Sequence, residues 1–136
     1  MNPILLDTHA AIWAVDGRLK ADAAQIVAAA AERDELLLSP ITAWEIGLLV
    51  NKQRLSLAQT VEEYVRVLFS RRGVVVATLT PPIAVAAASL PKRFRADPAD
   101  RILIATATAY GARFVTRDRE IHKYARSTGY LRCIAC

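Results

Sequence analysis

Short apolar runs alternate with helix-like segments along this whole chain, and that alternation constrains the fold more than any other feature. Ile4 to Leu6, Leu36 to Leu38, Val74 to Thr78 and Arg113 to Thr116 read as strands, the third as a buried strand because it is β-branched and apolar. Leu131 to Ala135 reads as an edge strand. Between them lie helical segments: Thr8 to Val15, the alanine-rich Ala21 to Glu32, Ser39-Pro40 to about Asn51, and Thr60 to Arg71. Three more follow at Pro81 to about Leu90, at Asp97-Pro98 to Tyr110 with Gly111 as C-cap, and at Arg119 to Arg126. Strand–helix alternation of this kind predicts an α/β fold, a three-layer α/β/α sandwich around a short-stranded, mainly parallel sheet. With 136 residues and no linker or repeat, the expectation is one domain over residues 1–136.

Five acids stand in or beside the apolar runs: Asp7 after PILL, Glu45 inside ITAWEIGLLV, Asp97 and Asp100 at the head of DPADRILIATATA, and Asp118 after RFVTR. A buried carboxylate without compensation is costly, so each needs a cap, a partner or a metal. Asp7, Asp97 and Asp118 each precede a helix and are natural N-caps, and Asp100 falls at a first-turn position where an acid is favoured. Glu45 resists that explanation. It is mid-helix between Trp44 and Ile46, and Lys52 is too far along for a helical pair. In a parallel sheet every strand ends at the same edge, so Asp7 and Asp118 share that edge and Glu45, one turn into its helix, returns above it. Such a carboxylate set suits Mg²⁺ or Mn²⁺ rather than zinc, and could activate water against a phosphodiester.

Composition narrows the partners. Hydrophobic residues make up 54% and charged residues 23%, which is globular rather than disordered. No apolar run approaches the ~18 residues of a membrane span. MNPILLD lacks the basic and apolar regions of a secretion signal, so a cytoplasmic location is expected. Residues 1–70 carry a net charge of −3 and residues 71–136 a net of +8, giving +5 overall. The basic half suggests a polyanionic partner, with Lys92, Arg93, Arg95, Arg101, Arg117 and Arg119 flanking the acids as candidate contacts to a nucleic-acid backbone. Cys133 and Cys136 form a terminal CxxC, but only His9 and His122 could complete a zinc site and the pair does not open a helix, so two reduced thiols are expected.

Four blocks, LLDTH at 5–9, SPITAWEI at 39–46, DPADRILIATATA at 97–109 and FVTRD at 114–118, resemble the PIN-domain family and, within it, VapC-type toxins of toxin–antitoxin pairs. Order and spacing agree over nearly the whole chain. The resemblance implies a Mg²⁺-dependent endoribonuclease that uses metal-activated water and leaves 5′-phosphate and 3′-hydroxyl ends. Asp7, Glu45 and Asp100 match the three principal family acids, and Asp118 the more variable fourth. Asp97 is an additional acid of the DPADR subgroup, mainly a cap. Thr8 and Thr116 match small hydroxyl positions near the site. Family members commonly form homodimers and are held inactive by a small antitoxin. Arg95 stands where some relatives carry a histidine.

Other acid-pocket enzymes fit less well. A haloacid-dehalogenase-type phosphatase needs Asp-x-Asp, whereas Asp7 is followed by Thr8-His9. A receiver domain needs an acid after the third strand, where this chain has Leu79-Thr80. The alternative from another class is a non-catalytic PIN-like nucleic-acid-binding module, against which Glu45 argues.

Overall fold

The computed structural model describes residues 1–92, 94 and 97–136. Its strands are β1 (Ile4–Leu6), β2 (Leu36–Leu38), β3 (Val74–Val76), β4 (Arg113–Thr116) and β5 (Cys133–Ala135). Its helices are α1 (Thr8–Asp16), α2 (Ala21–Glu32), α3 (Pro40–Asn51), α4 (Val61–Phe69), α5 (Pro81–Ala88), α6 (Pro98–Ala109) and α7 (Arg119–Thr128). The strands form one sheet in the order β3-β2-β1-β4-β5, and every pairing is parallel. This is the expected α/β sandwich. The chain steps outward from β1 through β2 to β3, then returns to the other side of β1 for β4 and β5. The topological switch therefore lies between β1 and β4, and in open α/β sheets the crevice beyond the strand ends at that point is where ligands bind.

Period-two alternation sorts each strand between two cores. Ile4, Leu6, Leu36, Leu38 and Val115 pack on one face with Ala23 and Val27 of α2, Ile46 of α3 and Leu68 of α4. Leu5, Leu37 and Phe114 pack on the other with Ile83 of α5, Leu103 and Ile104 of α6 and Ile121 of α7. β1 is buried on both faces, which explains its unbroken apolar sequence.

Helix starts follow local chemistry. Ser39, Thr60, Thr80, Asp97 and Asp118 each accept a hydrogen bond from a first-turn backbone N–H, and Pro40, Pro81 and Pro98 supply the first helical residue after three of them. Three details differ from the sequence expectation. β3 is an edge strand with Val75 41% and Val76 47% exposed, not a buried one, because β-branching favours extended backbone without saying where in the sheet it lies. Tyr110, not Gly111, caps α6, and Gly111 takes the following left-handed position at φ 63°. β5 begins at Cys133, although Leu131 is still buried in the core.

Gly73, just before β3, is the position where glycine is indispensable. Its φ is +85°, and a Cβ there would lie 2.0 Å from the Ala31 carbonyl oxygen at the end of α2. Gly73→Ala should lower stability by at least about 1–3 kcal/mol from the backbone conformation alone, and by more from the clash. A chemical-denaturation midpoint equal to that of the parent protein would contradict this packing.

Candidate metal centre

Asp7 ends β1 and caps α1. Its backbone N–H donates to the Val115 carbonyl at 2.9 Å, which locks it to β4 at the switch point. Its side chain is 8% exposed and fully engaged: Oδ1 accepts from the Thr8 N–H at 2.7 Å and Oδ2 from the Thr116 hydroxyl at 2.6 Å. Thr116 in turn accepts from the Asp118 N–H at 3.1 Å, so one hydroxyl ties the ends of β1 and β4 together. The Thr8 hydroxyl donates to Glu45 Oε1 at 2.5 Å, which draws α3 onto the same strand end. Thr42, one turn before Glu45 on α3, lies 3.4 Å from the Thr8 hydroxyl and is buried. Asp100 enters from the first turn of α6, where its N–H donates to Asp97 Oδ1 at 3.0 Å.

The result is that Asp7, Glu45 and Asp100, from three elements distant in sequence, each offer an oxygen within 4.8 Å of the others. They line a cavity of about 320 Å³ whose wall also includes Asp97, Asp118, His9 and Arg117. Asp97 and Asp118 are helix caps at its rim, Asp118 accepting from the Glu120 N–H at 2.9 Å. Neither belongs to the three-acid group.

Proximity and burial oppose ionisation. Burial raises the Asp7 pKa against the lowering effect of its Thr116 and Thr8 hydrogen bonds. Glu45 is raised by burial and by the charges of Asp7 and Asp97, with Thr8 working against the shift. Asp100 is pushed up to about 8, first by burial and then by Asp7, Asp97, Glu45 and Asp118. His9 is lowered by burial and by Arg117. Among the described residues the two side-chain ion pairs, Arg33–Glu35 and Arg66–Glu63, involve none of these acids. An all-oxygen donor set, with no side-chain cation paired to it among the described residues, fits a hard divalent ion. Ligands at 2.0–2.1 Å from Mg²⁺ lie at most about 4.2 Å apart, so small side-chain rotations or a bridging water close the site.

The basic residues flanking the acids separate in space. Arg117 lines the acidic cavity, and its guanidinium lies over the Trp13 ring, 4.8 Å from the centroid. Arg119, the first residue of α7, is exposed. Lys92 is exposed and donates to the Ser127 carbonyl at 3.2 Å. Arg101 departs from the expectation: its guanidinium donates to the carbonyls of Ala87, Ala88 and Phe94, so it clamps the end of α5 to α6 rather than facing a nucleic acid. Arg93 and Arg95 lie outside the described residues. His9, Trp13 and Thr42 escaped sequence reasoning as members of the site. The available signal was spacing: His9 is two residues past Asp7, and Thr42 is three before Glu45. Cys133 and Cys136 are free thiols, Cys133 raised to about 11 and Cys136 also raised, both chiefly by burial.

A PIN-domain family model matches residues 4–127. The chain belongs to the PIN-domain family. It is 37% identical over 130 residues to Ribonuclease VapC22 of Mycobacterium tuberculosis, covering 93% of this chain and 96% of that protein. Its fold matches a chain of VapBC2 from Rickettsia felis bound to a DNA fragment from its promoter, with a TM-score of 0.70, 14% identity and 97% of each chain covered. It also matches a chain of DNA-bound VapBC from Salmonella typhimurium, with a TM-score of 0.66, 18% identity and coverage of 99% of this chain and 98% of that one. At those identities the structural matches establish the PIN fold.

Two outcomes are expected. In metal-free protein, folded Asp100 holds a proton between its ordinary value of 3.8 and about 8, whereas the unfolded chain releases it. This group therefore makes stability fall as pH rises through that window. Melting temperatures measured across it should decline less steeply for Asp100→Asn, and identical slopes would refute the assignment. Arg101→Ala should cost about 2 kcal/mol by removing three hydrogen bonds from a charged donor, measurable by urea denaturation.

Proposed function

We propose that this chain is a Mg²⁺-dependent endoribonuclease, with Mn²⁺ as an alternative metal, and the toxin of a toxin–antitoxin pair. The observation that carries the reading is the convergence of Asp7, Glu45 and Asp100 to within 4.8 Å at the sheet's switch point. Membership of the PIN family and 37% identity to a protein named as a ribonuclease supply the reaction class. The binding-module alternative leaves three converged, mutually repelling carboxylates without a role.

Asp7, Glu45 and Asp100 would hold the ion, and Asp118 faces the same cavity as a fourth, peripheral acid. Bound Mg²⁺ supplies Lewis-acid chemistry, making water a competent nucleophile and neutralising charge on the phosphodiester. The chain's own residues set the geometry. Thr8 and Thr116 hold the Glu45 and Asp7 carboxylates in fixed directions. Arg117, steadied by Trp13, presents positive charge to a phosphate entering the cavity. A water oxygen bonds to phosphorus as the P–O3′ bond breaks, and the departing 3′ oxygen takes a proton. The products are a 5′-phosphate and a 3′-hydroxyl.

The basic residues 71–136 suit an RNA substrate. A small separately encoded antitoxin, a homodimeric state and a cytoplasmic location complete the proposal. No helix among the described residues is long and apolar enough to cross a membrane.

Asp7→Asn should reduce RNA cleavage by more than about 100-fold, by analogy with removing other groups that act on transition-state charge. Its thermal stability without metal should be equal to or above the parent's. The amide oxygen still accepts from the Thr8 N–H, the Thr116 hydroxyl can rotate to accept from the amide nitrogen, and a like charge is gone. Excess EDTA should abolish cleavage by the parent chain, and Mg²⁺ or Mn²⁺ should restore it. Full cleavage in EDTA would overturn the proposal.

A further inference from the structure

A second cavity, of about 330 Å³, adjoins the acidic one and shares His9, Glu45 and Asp97 with it. Its remaining wall differs in kind. Trp44, Leu48 and Lys52 recur every fourth residue along α3 and its C-cap, placing them on one face, and Arg54 follows just beyond. Trp44 is 52% exposed, whereas Trp13 is half-buried and packed against its core. Among the described residues, neither core cluster includes Trp44. The cavity thus joins an accessible indole to two cationic side chains, directly beside the carboxylates.

We propose that this cavity is a nucleotide subsite for single-stranded RNA, in which Trp44 stacks an unpaired base next to the scissile phosphate while Lys52 and Arg54 hold a neighbouring backbone phosphate. The position of the scissile phosphate rests on the nuclease reading above. Three observations favour this occupant. The cavity shares His9, Glu45 and Asp97 with the wall of the acidic site, so a strand whose phosphate lies at Asp7 and Asp100 passes close to Trp44. Its volume falls within the roughly 300–1,000 Å³ of small-ligand sites, enough for one nucleotide. Its pairing of an aromatic face with positive charge is the arrangement by which proteins hold single strands, base on ring and phosphate on cation. A hydrophobic protein segment would instead cover the Lys52 and Arg54 charges while supplying no counter-charge of its own. The subsite also selects a substrate class, because bases inside an A-form duplex are stacked and cannot reach an indole.

The test separates this inference from the nuclease reading by measuring binding without cleavage. In full-length Asp7→Asn protein carrying Trp13→Phe, Trp44 is the remaining indole of the chain's two. Random-sequence single-stranded RNA of about 12 nucleotides, within the span of single-strand binding sites, should quench its fluorescence. An abasic ribose-phosphate polymer of the same length and an RNA duplex should not. By anisotropy of labelled RNA, Trp44→Ala should weaken binding on the order of 10-fold and Trp44→Tyr should restore it. Lys52→Ala should weaken binding and flatten its salt dependence. Equal quenching by the abasic polymer, or unchanged affinity in Trp44→Ala, would overturn the subsite while leaving metal-dependent cleavage by the parent chain standing. A Trp44→Ala variant that turns a parent dimer into monomer without loss of RNA affinity would reassign the face to contact between copies. Failure of the nuclease reading looks different: quenching persists, but the parent chain shows no Mg²⁺-dependent cleavage.

Discussion

The structure depends on holding three carboxylates together against their own repulsion. Asp7, Glu45 and Asp100 gain nothing from proximity in the metal-free state. Burial and like charge push all three toward the protonated form, Asp100 as far as about 8. Something rigid must therefore impose the geometry, and the central strand pair does so. The Asp7 N–H is bonded into β4, the Asp7 carboxylate to Thr116 of β4, and Glu45 to Thr8 at the head of α1. Two buried threonines thus serve as struts between charged groups. They orient the two carboxylates toward the cavity, Glu45 keeping its second oxygen unbonded, and orientation by neighbouring side chains is what a metal site requires of its ligands' supporting residues.

The same arrangement explains how the basic residues divide their labour. Although the second half of the chain is strongly basic, its arginines do not act alike. Arg101, beside Asp100 in sequence, turns away and satisfies the carbonyls at the end of α5, which fixes how α6 approaches and so where Asp100 points. Arg117 stays beside the acids, its guanidinium laid on Trp13 instead of paired with a carboxylate. That contact keeps a positive charge at the cavity wall without neutralising the ligands. An arginine paired to Asp7 would compete with the ion.

Much of this was legible in one dimension, for identifiable reasons. Helix starts at Ser39, Asp97 and Asp118 depend on contacts within a few residues, so their caps could be recognised directly. The role of Glu45 was legible by elimination, since a carboxylate in mid-helix with no helical partner must face something distant. Apart from one-residue or two-residue shifts at the end of α6 and the start of β5, the readings that the structure changed or added require a neighbour far along the chain. β3 proved to be an edge strand, Arg101 a clamp, and Thr42 part of the threonine network. In each case the deciding contact spans more than ten residues, or depends on which strand lies alongside.

By itself, then, the sequence determined the alternation of strands and helices, the parallel sheet, the helix caps and which acids belong beside strand ends. These follow from local backbone preference and side-chain periodicity, which act over a few residues. Only the tertiary structure decided the strand order that sets the switch point between β1 and β4. It alone brought α3 and α6 together over that point, assigned the arginines, and placed Trp44 on an open wall beside the acids. Those outcomes depend on which surfaces bury one another, a property of the packed sheet and its two helical layers that no local segment encodes.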